Sequence, residues 1–403
     1  METKKNTQSY LPQDLIIQIL LRLPVISLFR FKCVSNLWFC LINATDFANS
    51  HLQITTATQT SKILFLTNSA PHEARSVNIE TSLFGDDSTS VSLNPNFMPF
   101  QSYPRIEIKG SCRGFILLKC FTRMMLNFYL CNPSTGFHKK IPSSPFASNL
   151  YEDDNCFYGF GYDQSADDYL LVSMSYDDPD SYVTMLSHLE FFSLRANTWI
   201  EFEDTRAYYL NSIEDERKEG SFFNGALHWF GFRHDDLEKH VIVSFDLMQR
   251  KLSEVHFLDD FDCQLDDCGL WVFGEFLSLW SMNYQNNTKA VEIWVMKEYK
   301  VPSSWTKAIV LRVDGIPKEY FIPLCFTKSG YIIGTDDDTG LVKYNDKGQL
   351  LEYHSYSHDW RGFQMALYIE SMLSLPADSE QAQLDDTNKK KSKVVKYSSL
   401  PFS

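Results

Sequence analysis

The sequence has 403 residues, 44% of them hydrophobic and 15% aromatic, enough to build a large core in more than one domain. Its formal net charge of −14 argues against nucleic acid or an anionic membrane as a partner, and favours a basic one. Nine cysteines without paired spacing suit a reducing compartment, so a cytoplasmic and also nuclear location is expected.

The first predicted element is a helix. Pro12 suits its opening turn, where a missing N–H costs nothing, and Asp14 lies near the positive end of the helix dipole. Pro24 should stop it at about Leu23. Asp14, Gln18 and Arg22 form one polar stripe at helical spacing, and Leu15, Ile16, Ile17, Ile19, Leu20, Leu21 and Leu23 cover the rest. From Val25 to Ile42 two more short helices are expected, equally rich in apolar residues. The polar interruptions at Asp14, Gln18, Arg22, Pro24, Arg30 and Lys32, after a start with no apolar run, exclude a signal peptide and a membrane span. A segment of about 40 residues cannot enclose so much apolar surface, so it should dock on a partner or on the rest of the chain.

The order Leu11-Pro12, Asp14-Leu15, Ile19-Leu20, Leu23-Pro24-Val25, Ser27-Leu28, Arg30 through Ser35 and Trp38 resembles the F-box of plant F-box proteins. It departs from that pattern at Ile26 and Asn36, where lysine is common. The resemblance implies an adaptor-binding F-box over residues 9–52. It would dock on a Skp-type adaptor, and through it join a cullin and a RING subunit. Carried over position by position, the implied adaptor-binding residues are Leu11, Pro12, Leu15, Ile16, Ile19, Leu20, Leu23, Pro24, Leu28, Phe31, Val34 and Trp38.

Residues 60–375 read as an all-β domain, with short apolar runs separated by Gly, Asn and Asp turns. A strand–turn–strand unit recurs in "FYLCNPSTGFHKKI", "LEFFSLRANTWIEF", "VIVSFDLMQRKLSEV", "VEIWVMKEYKVPSSWTKAIVL" and "LVKYNDKGQLLEY". Its later turns, near Ala196, Leu247, Lys297 and Asp346, are spaced about 50 residues apart, like kelch blades. Each unit follows another hairpin, such as "GSCRGFILLK" or "GSFFNGALHWFGF". The fold class is therefore a small all-α segment followed by a six-bladed kelch-like β-propeller, with "FQMALYIESMLSL" returning to complete the first blade and close the ring. "CNPSTGF", "GFGYD", "LHWF" and "VEIWVMKEYKVPSSW" resemble the F-box-associated domain of plant F-box proteins. Together with "SMLSLP", the layout is similar to that of S-locus F-box proteins. The polar tail, 376–403, is expected to be disordered.

In such a propeller the turns within hairpins lie on one face, and the loops between the second and third strands and between blades lie on the other. Arg113, His138, Arg195, Arg250, Lys251, Lys297 and Lys347 fall on the first face. The second face receives the acidic runs, giving a target-binding set of Asp177, Asp178, Asp180, Asp235, Asp236, Asp259, Asp260, Asp266, Asp267, Asp336 and Asp337. The S-locus resemblance implies a matching target, the basic S-RNases.

No catalytic, cofactor or metal residue is assigned. "GFG" at Gly159–Gly161 is not followed by a helix, His228-Trp229 lies inside a strand run, and Cys263, Cys268 and His256 lack the spacing of a zinc site. A non-degradative scaffold and a propeller enzyme are the rival readings.

Overall fold

The computed structural model describes residues 12–58, 61–67, 69–79, 91–92, 103–122, 126–145, 156–176, 187–202, 209–210, 219–233, 236–257, 268–284, 289–336, 340–355 and 363–375. Four helices come first: α1 (Gln13–Leu20), α2 (Val25–Phe31), α3 (Asn36–Ile42) and α4 (Thr45–Thr58). The first three lie where the apolar runs predict them. α1 ends three residues early, because the residue before a proline is pushed out of the helical region, and two tight bonds to Ile19 and Leu20 carbonyls close its last turn. Ser35 caps α3 by accepting from the Trp38 N–H at 3.2 Å. α4 has no counterpart among the predicted elements, since threonine and asparagine dilute its apolar face. It also carries the helical segment beyond residue 52.

Six sheets follow. The first contains β1 (Ser61–Thr67), β2 (Ala74–Asn78) and β3 (Val91–Ser92), the second β4 (Arg105–Cys112), β5 (Phe115–Phe121), β6 (Leu126–Asn132) and β7 (Phe137–Ile141). The third contains β8 (Cys156–Asp163), β9 (Asp168–Tyr176), β10 (Ser187–Ser193) and β11 (Thr198–Phe202). The fourth contains β12 (Tyr209–Leu210), β13 (Ser221–Phe223), β14 (Ala226–Arg233), β15 (Asp236–Asp246) and β16 (Lys251–Val255). The fifth runs β17 (Cys268–Phe273), β18 (Phe276–Asn283), β19 (Ala290–Met296), β20 (Trp305–Arg312), and the sixth β21 (Ile322–Phe326), β22 (Ile332–Thr335), β23 (Gly340–Tyr344), β24 (Leu350–Ser355). The last strand, β25 (Phe363–Ile369), pairs antiparallel with β1 and becomes the inner strand of the first blade. The molecule is a six-bladed propeller closed by its own C-terminal strand, as expected, with β1 and β2 as the two middle strands of the closing blade.

The innermost strands touch in a ring, β25 to β4, β8, β13, β17, β21 and back to β25. Between each pair of neighbouring blades lies one apolar cluster. Ile63 and Phe65 of β1 face the sixth blade, while Leu64 and Leu66 face the second. Successive side chains of a strand point to opposite faces. A strand with a blade on each side is thus apolar at every position, which is why "KILFL" and "FILL" read as continuous runs.

The hairpin turns obey local chemistry. Arg113-Gly114 and Asn224-Gly225 both take positive φ, at 50 and 87° and at 48 and 74°, the backbone of the two-residue turns that match strand twist. Elsewhere a polar side chain folds back on the turn that follows it: Asn132 accepts from Ser134, Asp246 from Met248 and Gln249, and Asn345 from Lys347 and Gln349.

Candidate adaptor and target faces

The helices form a small core of their own, in which Leu20, Leu21, Leu28, Ile42 and Phe47 are buried and Ile16, Ile17, Leu23, Phe31, Trp38 and Leu41 are partly so. Phe31 and Trp38 meet edge to face at 5.3 Å, and His51 Nε2 lies 2.9 Å from the Leu23 carbonyl. What this core leaves outside is large: Leu15, Ile19, Ile26, Val34, Leu37 and Phe39 are each 51–60% exposed. Leu15 and Ile19 stand one turn apart on α1 and so share a face.

Of the adaptor residues implied by resemblance, Pro12, Leu15, Ile19, Pro24 and Val34 are exposed and Ile16, Leu23, Phe31 and Trp38 are half-buried. Leu20 and Leu28 need correction: at 1% and 0% exposure they hold the helices together and present nothing to a partner. Leu11 lies outside the described residues. Ile26, Leu37 and Phe39 are the exposed positions that motif matching missed. Only the packing of α3 on α2 decides which sides of those two helices stay outside.

α4 turns its other side to the propeller. Ala48 and Leu52 join the cluster between the second and third blades, with Phe115, Tyr169, Leu373 and Leu375. Arg113 donates to Asn49 Oδ1 at 2.8 Å, so the helices sit on the face of the hairpin turns. Arg250 is likewise engaged, 2.8 Å from Asp163, whose carboxyl is held below its ordinary range despite burial by Ser165 and Ala166 as well as Arg250.

Of the target set expected on the opposite face, Asp177, Asp178, Asp180, Asp235, Asp259, Asp260, Asp266, Asp267 and Asp337 lie outside the described residues. Asp236 opens β15, its backbone in register with Arg233. Asp336 is corrected. It is fully buried and accepts hydrogen bonds from the Gly340 N–H at 2.7 Å and the Tyr353 hydroxyl at 2.9 Å, so its carboxylate orders the turn and cannot meet a target.

Where the inner strands begin on this face, a cavity of about 190 Å³ opens, lined by Phe157, Glu219, Ser221, His228, Trp229, Cys268, Leu270, Trp280 and Ile322 among others. Lys109 stitches blades near it, 2.7 Å from Glu219 and 3.2 Å from Glu107. Burial works against its charge, but the two carboxylates outweigh it and raise its pKa. His228 borders the cavity inside the strand run and is fully buried. Its Nδ1 meets the Ser221 carbonyl at 3.2 Å and its Nε2 the Tyr299 hydroxyl at 2.8 Å. Among the described residues no group of three or more His, Cys, Asp or Glu is placed to hold a metal, and no helix is long and apolar enough to cross a membrane.

The family model of the F-box domain matches residues 9–48, and that of the F-box associated beta propeller domain residues 63–364. An F-box/kelch-repeat protein of Arabidopsis thaliana is 28% identical over 373 residues, covering 90% of this chain and 95% of that protein. The F-box protein CPR1 of Arabidopsis thaliana is 30% identical over 340 residues, covering 79% and 77%. Another Arabidopsis thaliana F-box protein is 26% identical over 402 residues and covers 96% of both chains. With helices that leave an apolar face open on one side of a six-bladed propeller, the chain belongs to the plant F-box proteins that carry an F-box-associated propeller.

Proposed function

We propose that this chain is the substrate receptor of an SCF-type (Skp–cullin–F-box) ubiquitin ligase and has no catalytic chemistry of its own. The observation that carries this reading is the set of six exposed large apolar side chains on and between α1, α2 and α3. Water disfavours such a surface, and a Skp-type adaptor's helices would complete the core as a groove receives an apolar helix face. The propeller's opposite face holds a protein target, and the cullin and RING subunits bring the charged enzyme to it. The receptor contributes proximity, making the meeting of target lysine and ubiquitin effectively intramolecular. For the target, the acidic loops and the net charge of −14 favour a basic protein, of which a non-self S-RNase in pollen self-incompatibility is the specific reading.

The test is coexpression with a Skp-type adaptor. Ile19→Asp/Leu37→Asp changes only exposed side chains, whereas Leu23 and Trp38 are half-buried and would disturb folding too. The adaptor is expected to copurify with the unsubstituted chain and to be lost from the double variant, with thermal unfolding of the propeller unchanged. Adaptor retained by the double variant would sink the reading, leaving a scaffold that binds without degrading as its successor.

A further inference from the structure

The six residues after β25, Glu370–Leu375, join no sheet but run between the helices and the hairpin-turn face. Met372 packs into the core of the helices, while Leu373 and Leu375 pack with Ala48, Leu52 and Phe115 against the second and third blades. The propeller grips this strap through polar groups. Asn132 Nδ2 donates to the Ser371 carbonyl at 3.0 Å and the Leu373 carbonyl at 3.4 Å, and the Ser371 N–H donates to Ser134 Oγ at 3.2 Å. Gly114 leaves room for it: with φ at +87°, an added Cβ would stand 2.1 Å from Ser371 Cβ. Beside the strap, Arg113 donates to Asn49 Oδ1 at 2.8 Å and to the Tyr169 hydroxyl at 3.3 Å, with its guanidinium 4.0 Å above the Tyr162 ring.

Together these contacts tie the propeller to the helices, directly through Arg113 and Asn49 and through a strap that touches both, while Tyr162 and Tyr169 hold the Arg113 guanidinium in place from the propeller side. A hinge would leave this joint wet and polar; here it is an apolar layer framed by hydrogen bonds and one planar cation that engages both sides.

We propose that Arg113, Asn132 and the strap Ser371–Leu375 are positioning residues that lock the helices and the propeller into one rigid body. The open apolar face of the helices and the acidic loop face are thereby held at one distance and angle. The consequence for ubiquitin transfer, that a target lysine is delivered at a set reach, rests on the receptor reading above; the rigid coupling does not.

The test uses the full chain with Cys33, Cys40 and Cys263 replaced by serine and spin labels at Arg30→Cys on α2 and Lys297→Cys on the turn between β19 and β20. Pulsed electron resonance is expected to give a single narrow distance distribution. Arg113→Ala/Asn132→Ala, which alters only propeller side chains, should replace it with a broad one, and Met372→Ala should broaden it from the other side of the joint. A broad distribution in the unsubstituted chain, or an unchanged narrow one in both variants, would overturn the proposal. Adaptor capture measured on the same samples separates the two readings: its loss in the unsubstituted chain defeats the receptor function and leaves the distance result standing.

Discussion

At the scale of single residues, the chain places polar groups where their partners are already present, and His228 is the clearest case. Its ring is buried between β13, β15 and Tyr299, and burial lowers its pKa to about 4 from an ordinary 6.5. Histidine in the unfolded chain gains a proton as pH falls through 6.5, whereas the folded chain resists until about 4. The folded state therefore keeps this stability above pH 6.5 and loses it as pH falls toward 4. Between neutral pH and pH 5 the loss should be on the order of 2 kcal/mol. Urea unfolding of the unsubstituted chain and of His228→Gln at the two pH values checks this, since the variant should lack that share of the pH dependence. "LHWF" marks this position as apolar and strand-like, but not that the histidine would be sealed at 0% exposure, because its partners Ser221 and Tyr299 come from other strands and turns.

At the scale of elements, hairpins are the most legible units, since each rests on residues next to one another in the chain. Every quoted strand–turn–strand unit forms its hairpin, and the turn residues bond within themselves. Asp246 accepts two backbone N–H groups, from Met248 and Gln249, at 2.9 and 2.7 Å. Asp246→Ala should cost about 1 kcal/mol, the net worth of a hydrogen bond or two at a partly exposed site, and should lower the urea midpoint without changing its slope. Helices were less legible. α4 is set by what it packs on, Ala48 and Leu52 against the propeller and Phe47 in the core of the helices, and a threonine-rich run does not announce that. Likewise the motif implied Leu20 and Leu28 as contact residues, because resemblance marks positions that matter without saying which side of the helix they face.

At the scale of the whole molecule, the helices and strap occupy the hairpin-turn face, and with the acidic loops expected on the other, the proposed reading has adaptor and target approach from opposite sides. Arg113 and Arg250 are already engaged within the molecule, which leaves less free positive charge on the turn face than the sequence implies. A basic target held by the loop face through charge should be captured from a plant extract at low salt and lost at moderate salt, because exposed charges are screened within about 10 Å at 0.1 M. Neutralising Asp259, Asp260, Asp266 and Asp267 to asparagine should reduce that capture while adaptor binding persists. Capture by the neutralised chain at undiminished strength would show that the target is held by something other than these carboxylates.

The sequence by itself determined the repeat, the number of blades, the closing strand and the family, because each depends on local pattern or short spacing that survives without knowledge of contacts. Tertiary structure alone decided that Leu20, Leu28 and Asp336 face inward, that Ile26, Leu37 and Phe39 face outward, and that Asn132 holds a strap more than two hundred residues away. The reason is physical: exposure and partnership belong to pairs of surfaces, and the surfaces that meet here come from distant parts of the chain, brought together only when the ring closes.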